Sequence, residues 1–139
     1  MGMGLGVREE VDFMRRRARG FLEAADYMLT HGLYDLAAFN SEQASQLYLK
    51  ATLLELVGDY PRTHSVIALL KELRRMDEGV EEFIAENREG LHFLEDSYLT
   101  SRYFLKVFDE EDGRYLASLA SKVVELCDRV RSRRGLGEG

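Results

Sequence analysis

The chain has 139 residues, of which 45% are hydrophobic and 32% charged, and this balance predicts a single domain with a core of its own. Its one cysteine, Cys127, excludes an intramolecular disulfide framework and a cysteine-rich zinc site. The formal net charge of −6 argues against a protein whose whole surface binds nucleic acid, and basic runs such as Arg15–Arg19 are most simply explained as solvated helix faces.

Apolar residues recur at helical spacing along most of the chain, which contains a single proline. A first helix is predicted from about Val7 to His31, where the dipeptide "HG" closes it. A second helix is predicted from Leu33 to Val57, where "GDYP" stops it. The connection between them is so short that the two helices are expected to form an antiparallel hairpin.

The middle of the chain is predicted to hold a short helix and a longer one. The short helix carries Val66 and follows "RTHS", in which Thr63 and Ser65 are both available as the N-cap residue. Helical spacing then resumes from Val80 to about Leu105. It is interrupted at Glu89–Gly90, which is interpreted as either a kink or a true break.

The last helix is predicted from about Glu110 to Arg133. Together these segments predict an all-α fold, an up-down bundle of four to five helices. The domain is expected to span residues 1–139, with flexible glycine-rich ends at 1–6 and 135–139.

Neither a membrane segment nor a metal site is expected from the sequence. No apolar run approaches the roughly 20 residues needed to cross a bilayer. The start "MGMGLGVREE" lacks the features of a signal peptide, so a cytoplasmic protein without membrane attachment is expected. His31, His64 and His92 are far apart and lack paired metal-ligand spacing, so no metal and no cofactor are predicted.

Two polar side chains interrupt an apolar stripe on the second helix. Residues seven apart drift by only ~20° around a helix, so Leu36, Gln43 and Lys50 fall along one line. Because a buried ammonium without a partner is unfavourable, Lys50 is expected to reach solvent or to meet a carboxylate, a phosphate or carbonyl groups. On the fourth predicted helix, Tyr98 and Arg102 are one turn apart and form a second polar and aromatic face.

These two faces have two interpretations, and both stay open at this point. The first is an interhelical hydrogen-bond network that fixes the register of the helices. The second is a groove in which Lys50, Arg102 and His64 supply cationic donors for phosphate, and Tyr98 or Tyr103 offers a ring on which a base can stack. The second arrangement suits a nucleotide or an RNA end.

The order of these motifs resembles the HEPN domain family, a family of small all-helical proteins. The resemblance covers most of the chain. Three family patterns are represented, "F-x-x-x-Q-A-x-x-x-x-x-K", "T-H-S/D-L" and "Y-x-x-x-R-Y-P". The corresponding residues are Phe39, Gln43, Ala44 and Lys50, then Thr63, His64, Ser65 and Val66, then Tyr98, Arg102 and Tyr103.

The resemblance implies a helical bundle that dimerises, binds nucleotides or RNA, and is often encoded beside a minimal nucleotidyltransferase in a toxin-antitoxin-like pair. The favoured function is therefore a nucleotide- or RNA-binding regulatory module acting as a homodimer, with a nucleotidyltransferase as a candidate partner. The candidate ligand-binding residues are Gln43, Lys50, His64, Tyr98, Arg102 and Tyr103.

The alternative is a metal-independent ribonuclease toxin with an atypical site that uses His64 for proton transfer. Family members that cleave RNA carry an arginine and a histidine separated by four to six residues. Counted from Arg102, that histidine would fall at positions 107–109, and none of these is a histidine. The proline that usually follows Arg-Tyr is replaced by Phe104. The sequence thus argues against an enzyme and leaves catalytic residues unassigned.

Overall fold

The computed structural model of the chain describes residues 3–103 and 107–136, with side chains from residues 6–98 and 107–136. The described part is helical apart from its connections. Its helices are α1 (Met3–Thr30), α2 (Tyr34–Val57), α3 (Val66–Leu73), α4 (Gly79–Glu86), α5 (Arg88–Tyr103) and α6 (Glu110–Arg133). The all-α prediction is confirmed, with six helices in these ranges instead of four or five. No helix among them is long and apolar enough to span a membrane.

Helix α2 is the centre of the fold, since α1, α3, α5 and α6 all pack against it. Its packing surface is rich in small side chains, which allow the neighbouring helices to approach closely. These buried residues are Ala37, Ala38, Ala44 and Ala51. The larger buried side chains Tyr48, Leu49 and Leu53 join the main hydrophobic core, which also includes leucines and valines of α3, α5 and α6.

Glycines and a capping box set several of the helix ends predicted from the sequence. Gly32 and Gly58 have φ values of 73° and 85°, a left-handed conformation that residues with a Cβ atom rarely adopt. Asp109 caps α6 and accepts a hydrogen bond from the backbone N–H of Asp112, whose side chain in turn accepts from the backbone N–H of Asp109. The predicted range of α6, Glu110–Arg133, is confirmed.

The break after α4 falls at Asn87, so the expectation of an interruption at Glu89–Gly90 is wrong in position. The side-chain amide of Asn87 donates to the backbone carbonyl of Phe83 at 2.9 Å and so ends α4. Gly90 lies within α5 and is buried. A Cβ atom there would overlap the hydroxyl of Tyr115, so glycine serves close packing of α5 against α6.

A polar network joins α1, α2 and α6 on one side of α2. The hydroxyl of Tyr48 donates to Asp128 at 2.5 Å and accepts from the guanidinium of Arg19 at 2.8 Å. The guanidinium of Arg15 is 3.4 Å from the same hydroxyl, and Arg15 is buried. Arg131 of α6 forms a two-point ion pair with Glu55 of α2. The expectation that Arg15–Arg19 form a uniformly solvated face is therefore wrong.

The substitution Tyr48→Phe is expected to lower the free energy of unfolding by about 1–3 kcal/mol, because Asp128 and Arg15 lose a buried partner. Chemical denaturation monitored by circular dichroism measures the change. Tyr27→Phe is the matched control, since Tyr27 is 59% exposed. Equal stability of the two variants would show that the network does not stabilise the fold.

Candidate functional site

A pocket of about 300 Å³ is bounded by α1, α2, α5 and the connection between α2 and α3. Its lining residues are Arg17, Phe21, Gln43, Gln46, Leu47, Lys50, His64 and Tyr98. The structure therefore brings together four of the six residues selected from the sequence. The side chains of the other two, Arg102 and Tyr103, lie outside the described residues, although their backbone belongs to α5.

The connection that carries His64 is held in place by hydrogen bonds on both of its sides. The hydroxyl of Ser65 accepts from the backbone N–H of Ala68 at 3.0 Å, which makes Ser65 the N-cap of α3. The hydroxyl of Thr63 accepts from the backbone N–H of Ser65. Glu95 of α5 accepts from the Ser65 hydroxyl and from the backbone N–H of Ile67. The "THS" motif thus ties the connection to α5.

Two rings meet at the pocket, one from this connection and one from α5. The imidazole of His64 stacks on the ring of Tyr98, with centroids 5.1 Å apart and planes inclined by 17°. Tyr98 also lies nearly parallel to Phe39 of α2, at a centroid distance of 6.3 Å. His64 is exposed and Tyr98 half-buried, so the rings offer an accessible aromatic surface on a packed base.

Of the line Leu36, Gln43 and Lys50, the two polar residues line the pocket, and none of the three is fully buried. Leu36 is 42% exposed, and Gln43 and Lys50 are half-buried. The Nζ atom of Lys50 is 5.8 Å from the centroid of the Tyr60 ring. Burial lowers the pKa of Lys50, the charge of Glu42 opposes this effect and the charge of Arg62 adds to it. Lys50 is therefore a partly desolvated cation that faces the pocket.

A buried carboxylate behind the pocket was not selected from the sequence. Glu42 is fully buried, and its two oxygens accept hydrogen bonds from Gln43 Nε2 at 2.9 Å and Gln46 Nε2 at 2.6 Å. Burial raises the pKa of Glu42 to about 7, although both amides and Lys50 favour the ionised form. The nearby charge of Glu95 raises this pKa further. Glu42 therefore supports two residues of the pocket wall without lining it.

Helix α1 contributes a cation and a ring that sequence reasoning also missed. Arg17 and Phe21 lie one turn apart on α1, a spacing that places them on one face. The guanidinium of Arg17 lies over the ring of Phe13, 4.9 Å from its centroid. The i, i+4 spacing of Arg17 and Phe21 is visible in the sequence, but the contact with α2 that makes them pocket residues is not.

The pocket combines groups suited to different parts of one ligand. Arg17 and Lys50 carry positive charge, His64 and Tyr98 provide rings, and Gln43 and Gln46 carry amides. Within the described ranges, no group of three or more His, Cys, Asp or Glu side chains is arranged to hold a metal ion. The arrangement favours an anionic ligand with a planar ring.

The raised pKa of Glu42 predicts a specific pH dependence of stability. Between pH 4.5 and about 7 the unfolded chain has released this proton while the folded chain retains it, so increasing pH lowers the free energy of unfolding. Glu42→Gln removes this effect. The variant is expected to exceed the wild type in stability by about 2–3 kcal/mol at pH 8 and by much less at pH 5.

Denaturant titrations of both proteins at the two pH values measure this difference. Glu86→Gln, at an exposed position on α4, is the control and is expected to show no such dependence. A stability difference between Glu42→Gln and wild type that is the same at pH 5 and pH 8 would contradict the prediction.

Comparison with known proteins identifies the family of the chain. The family model described as the HEPN domain matches residues 11–130, a range that includes every lining residue of the pocket. The comparison with curated proteins finds no match. The matched range covers most of the 139 residues, and it agrees with the motifs at Phe39–Lys50 and Thr63–Val66. The chain therefore belongs to the HEPN domain family.

Proposed function

We propose that the protein is a nucleotide- or RNA-binding regulatory module and that the pocket lined by Gln43, Lys50, His64 and Tyr98 is its binding site. The observation that carries the proposal is the convergence of two cations, the exposed ring of His64 and the half-buried ring of Tyr98 on one pocket. Arginine and lysine bind phosphate oxygens. Aromatic rings stack with bases of any sequence.

The size and charge of the pocket fit one nucleotide unit. Its volume of about 300 Å³ is at the lower end of the range of small-molecule sites, which is roughly 300–1,000 Å³. The formal net charge of the chain is −6, so attraction for phosphate has to be local. Arg17 and Lys50 provide this local charge.

The partly desolvated Lys50 strengthens the case for an anion. A charge that has lost part of its hydration interacts more strongly with an opposite charge than a solvated one does. The carboxylate of Glu42, whose charge acts on Lys50, already accepts two amide hydrogen bonds. A phosphate at the pocket would give Lys50 a partner of opposite charge on its open side.

We further propose that the protein acts as a homodimer. Tyr27, Leu33 and Leu36 are 59%, 41% and 42% exposed, and all three lie within a few residues of the connection between α1 and α2. Exposed apolar side chains of this size are typical of interfaces when they occur together. A nucleotidyltransferase partner in a toxin-antitoxin-like pair is proposed on the strength of family membership alone.

The first test is a thermal-shift screen of the wild type, Lys50→Ala and Arg102→Ala against ATP, other nucleotides and short RNAs. A ligand at a hundred times its dissociation constant stabilises the folded state by about 2.7 kcal/mol, so the melting temperature of the wild type is expected to rise. The rise is expected to disappear in Lys50→Ala. Lys50 forms no ion pair with the side chains that the structure describes and is half-buried, so the melting temperature without ligand should change little.

Lys122→Ala, at an exposed position on α6, is the matched control and should keep the ligand-dependent rise. The absence of a shift with every ligand, together with a marked loss of stability in Lys50→Ala, would contradict the proposal. That result would assign Lys50 to a structural network.

The exposed imidazole of His64 at the pocket favours a second candidate function, metal-independent cleavage of RNA. This function predicts cleavage of RNA in the presence of a chelator and its loss in His64→Ala. His92→Ala is the control, since His92 is exposed and is not among the lining residues. Intact RNAs of varied sequence after incubation at high protein concentration would exclude this function.

A further inference from the structure

We propose that Glu42 fixes the orientation of the Gln43 and Gln46 amides, so that the pocket selects a nucleotide whose base carries an amino group. This inference rests on the proposed function, because it requires the pocket to hold a nucleotide. It concerns the class of base that is bound, which the cations and rings of the pocket do not determine.

The orientation of the two amides follows from the hydrogen bonds of Glu42. Above pH 7 the folded chain holds Glu42 as an ionised carboxylate, which only accepts hydrogen bonds, so each glutamine has to turn its nitrogen toward it. The opposite orientation would place an amide oxygen against a carboxylate oxygen. The carbonyl oxygens of Gln43 and Gln46 are therefore directed away from Glu42.

Glu42 acts from behind the wall of the pocket. It is fully buried and does not line the pocket, whereas Gln43 and Gln46 both do. The two glutamines are three residues apart on α2 and so share one face of the helix. Gln43 is half-buried and Gln46 is 5% exposed, so Gln43 is the more accessible of the two to a bound ligand. Arg17 and Lys50, on the same pocket, are donors only.

Acceptor oxygens in the pocket wall distinguish bases by whether the base presents a hydrogen-bond donor or an acceptor to them. The amino group of cytosine, adenine or guanine donates to a carbonyl oxygen. Uracil has a carbonyl where cytosine has its amino group, so a uracil in the same position would place acceptor against acceptor. A site built to pair with a polar group rejects an analogue that leaves its own groups unpaired.

The test compares cytidine 5′-monophosphate with uridine 5′-monophosphate, because the two carry the same ribose and phosphate. Isothermal titration calorimetry on the wild type at pH 8, where Glu42 is ionised, is expected to show binding of the cytidine nucleotide at least about tenfold tighter. The same comparison with short oligomers of cytidine and uridine distinguishes a free nucleotide from RNA as the ligand. A preference for cytidine in either series supports the inference.

In Glu42→Gln the preference is expected to fall to within about twofold, because the new amide can donate to one neighbouring glutamine and reverse it. Gln43→Met, which removes one acceptor and keeps Glu42, is expected to lower the preference as well. Glu86→Gln, at an exposed position on α4, is the control. Glu86 does not line the pocket and both glutamines stay bonded to Glu42, so the preference should persist.

Three results would overturn the inference, and they can be told apart. Equal affinity of the wild type within both series, for the two nucleotides and for the two oligomers, would refute base selection and leave ligand binding intact. An unchanged preference in Glu42→Gln would refute the role of Glu42. Failure of both nucleotides and both oligomers to bind the wild type would remove the proposed function together with the inference.

Discussion

The burial of α2 against four other helices is the constraint on which the rest of the structure depends. A helix in this position has few faces left for solvent, so polar side chains on it need partners within the protein. The hydroxyls of Ser41, Ser45 and Thr52 meet this need by donating to the backbone carbonyl four residues earlier. Glu42 and Tyr48 lack that option and require other side chains.

The solutions for Glu42 and Tyr48 differ in their consequences. Tyr48 bonds with residues of α1 and α6, so that network joins three helices. Glu42 bonds with two glutamines of its own helix, and these glutamines line the pocket. The sequence left a structural network and a binding groove as alternatives for one polar line. The structure has a hydrogen-bond network between helices at Tyr48, on residues outside that line, and places Gln43 and Lys50 of the line at the pocket.

The sequence predicts features that are determined within a few residues of the chain. The ends of α1 and α2 depend on Gly32 and Gly58, and the start of α6 depends on Asp109 and its capping box, all of which are local. The sequence predicts an interruption at Glu89–Gly90, whereas the helix breaks at Asn87. The difference arises because a glycine that serves packing looks the same in a sequence as a glycine that ends a helix.

The sequence predicts only part of the pocket, because only some of its residues belong to patterns that are local in the chain. Gln43 and Lys50 are visible as polar residues at a heptad interval, and His64 as part of a local motif. Glu42 was missed because a helix buried on most sides has no single apolar face, so periodicity does not show which polar residue is enclosed. Arg17 was missed because its role depends on the packing of α1 against α2, which is tertiary information.

Helix α1 connects the structural network with the pocket through a single basic run. Residues two apart on a helix point in directions roughly 200° apart, so Arg15 and Arg17 lie on nearly opposite sides of α1. Arg15 and Arg19 contact Tyr48, whereas Arg17 lines the pocket. The hydrogen bonds that hold α1 against α2 and α6 therefore also fix the position of a guanidinium at the pocket. A shift in the register of α1 would disturb the structural network and the charge of the pocket together, so the two polar systems on opposite sides of α1 depend on the same helix packing.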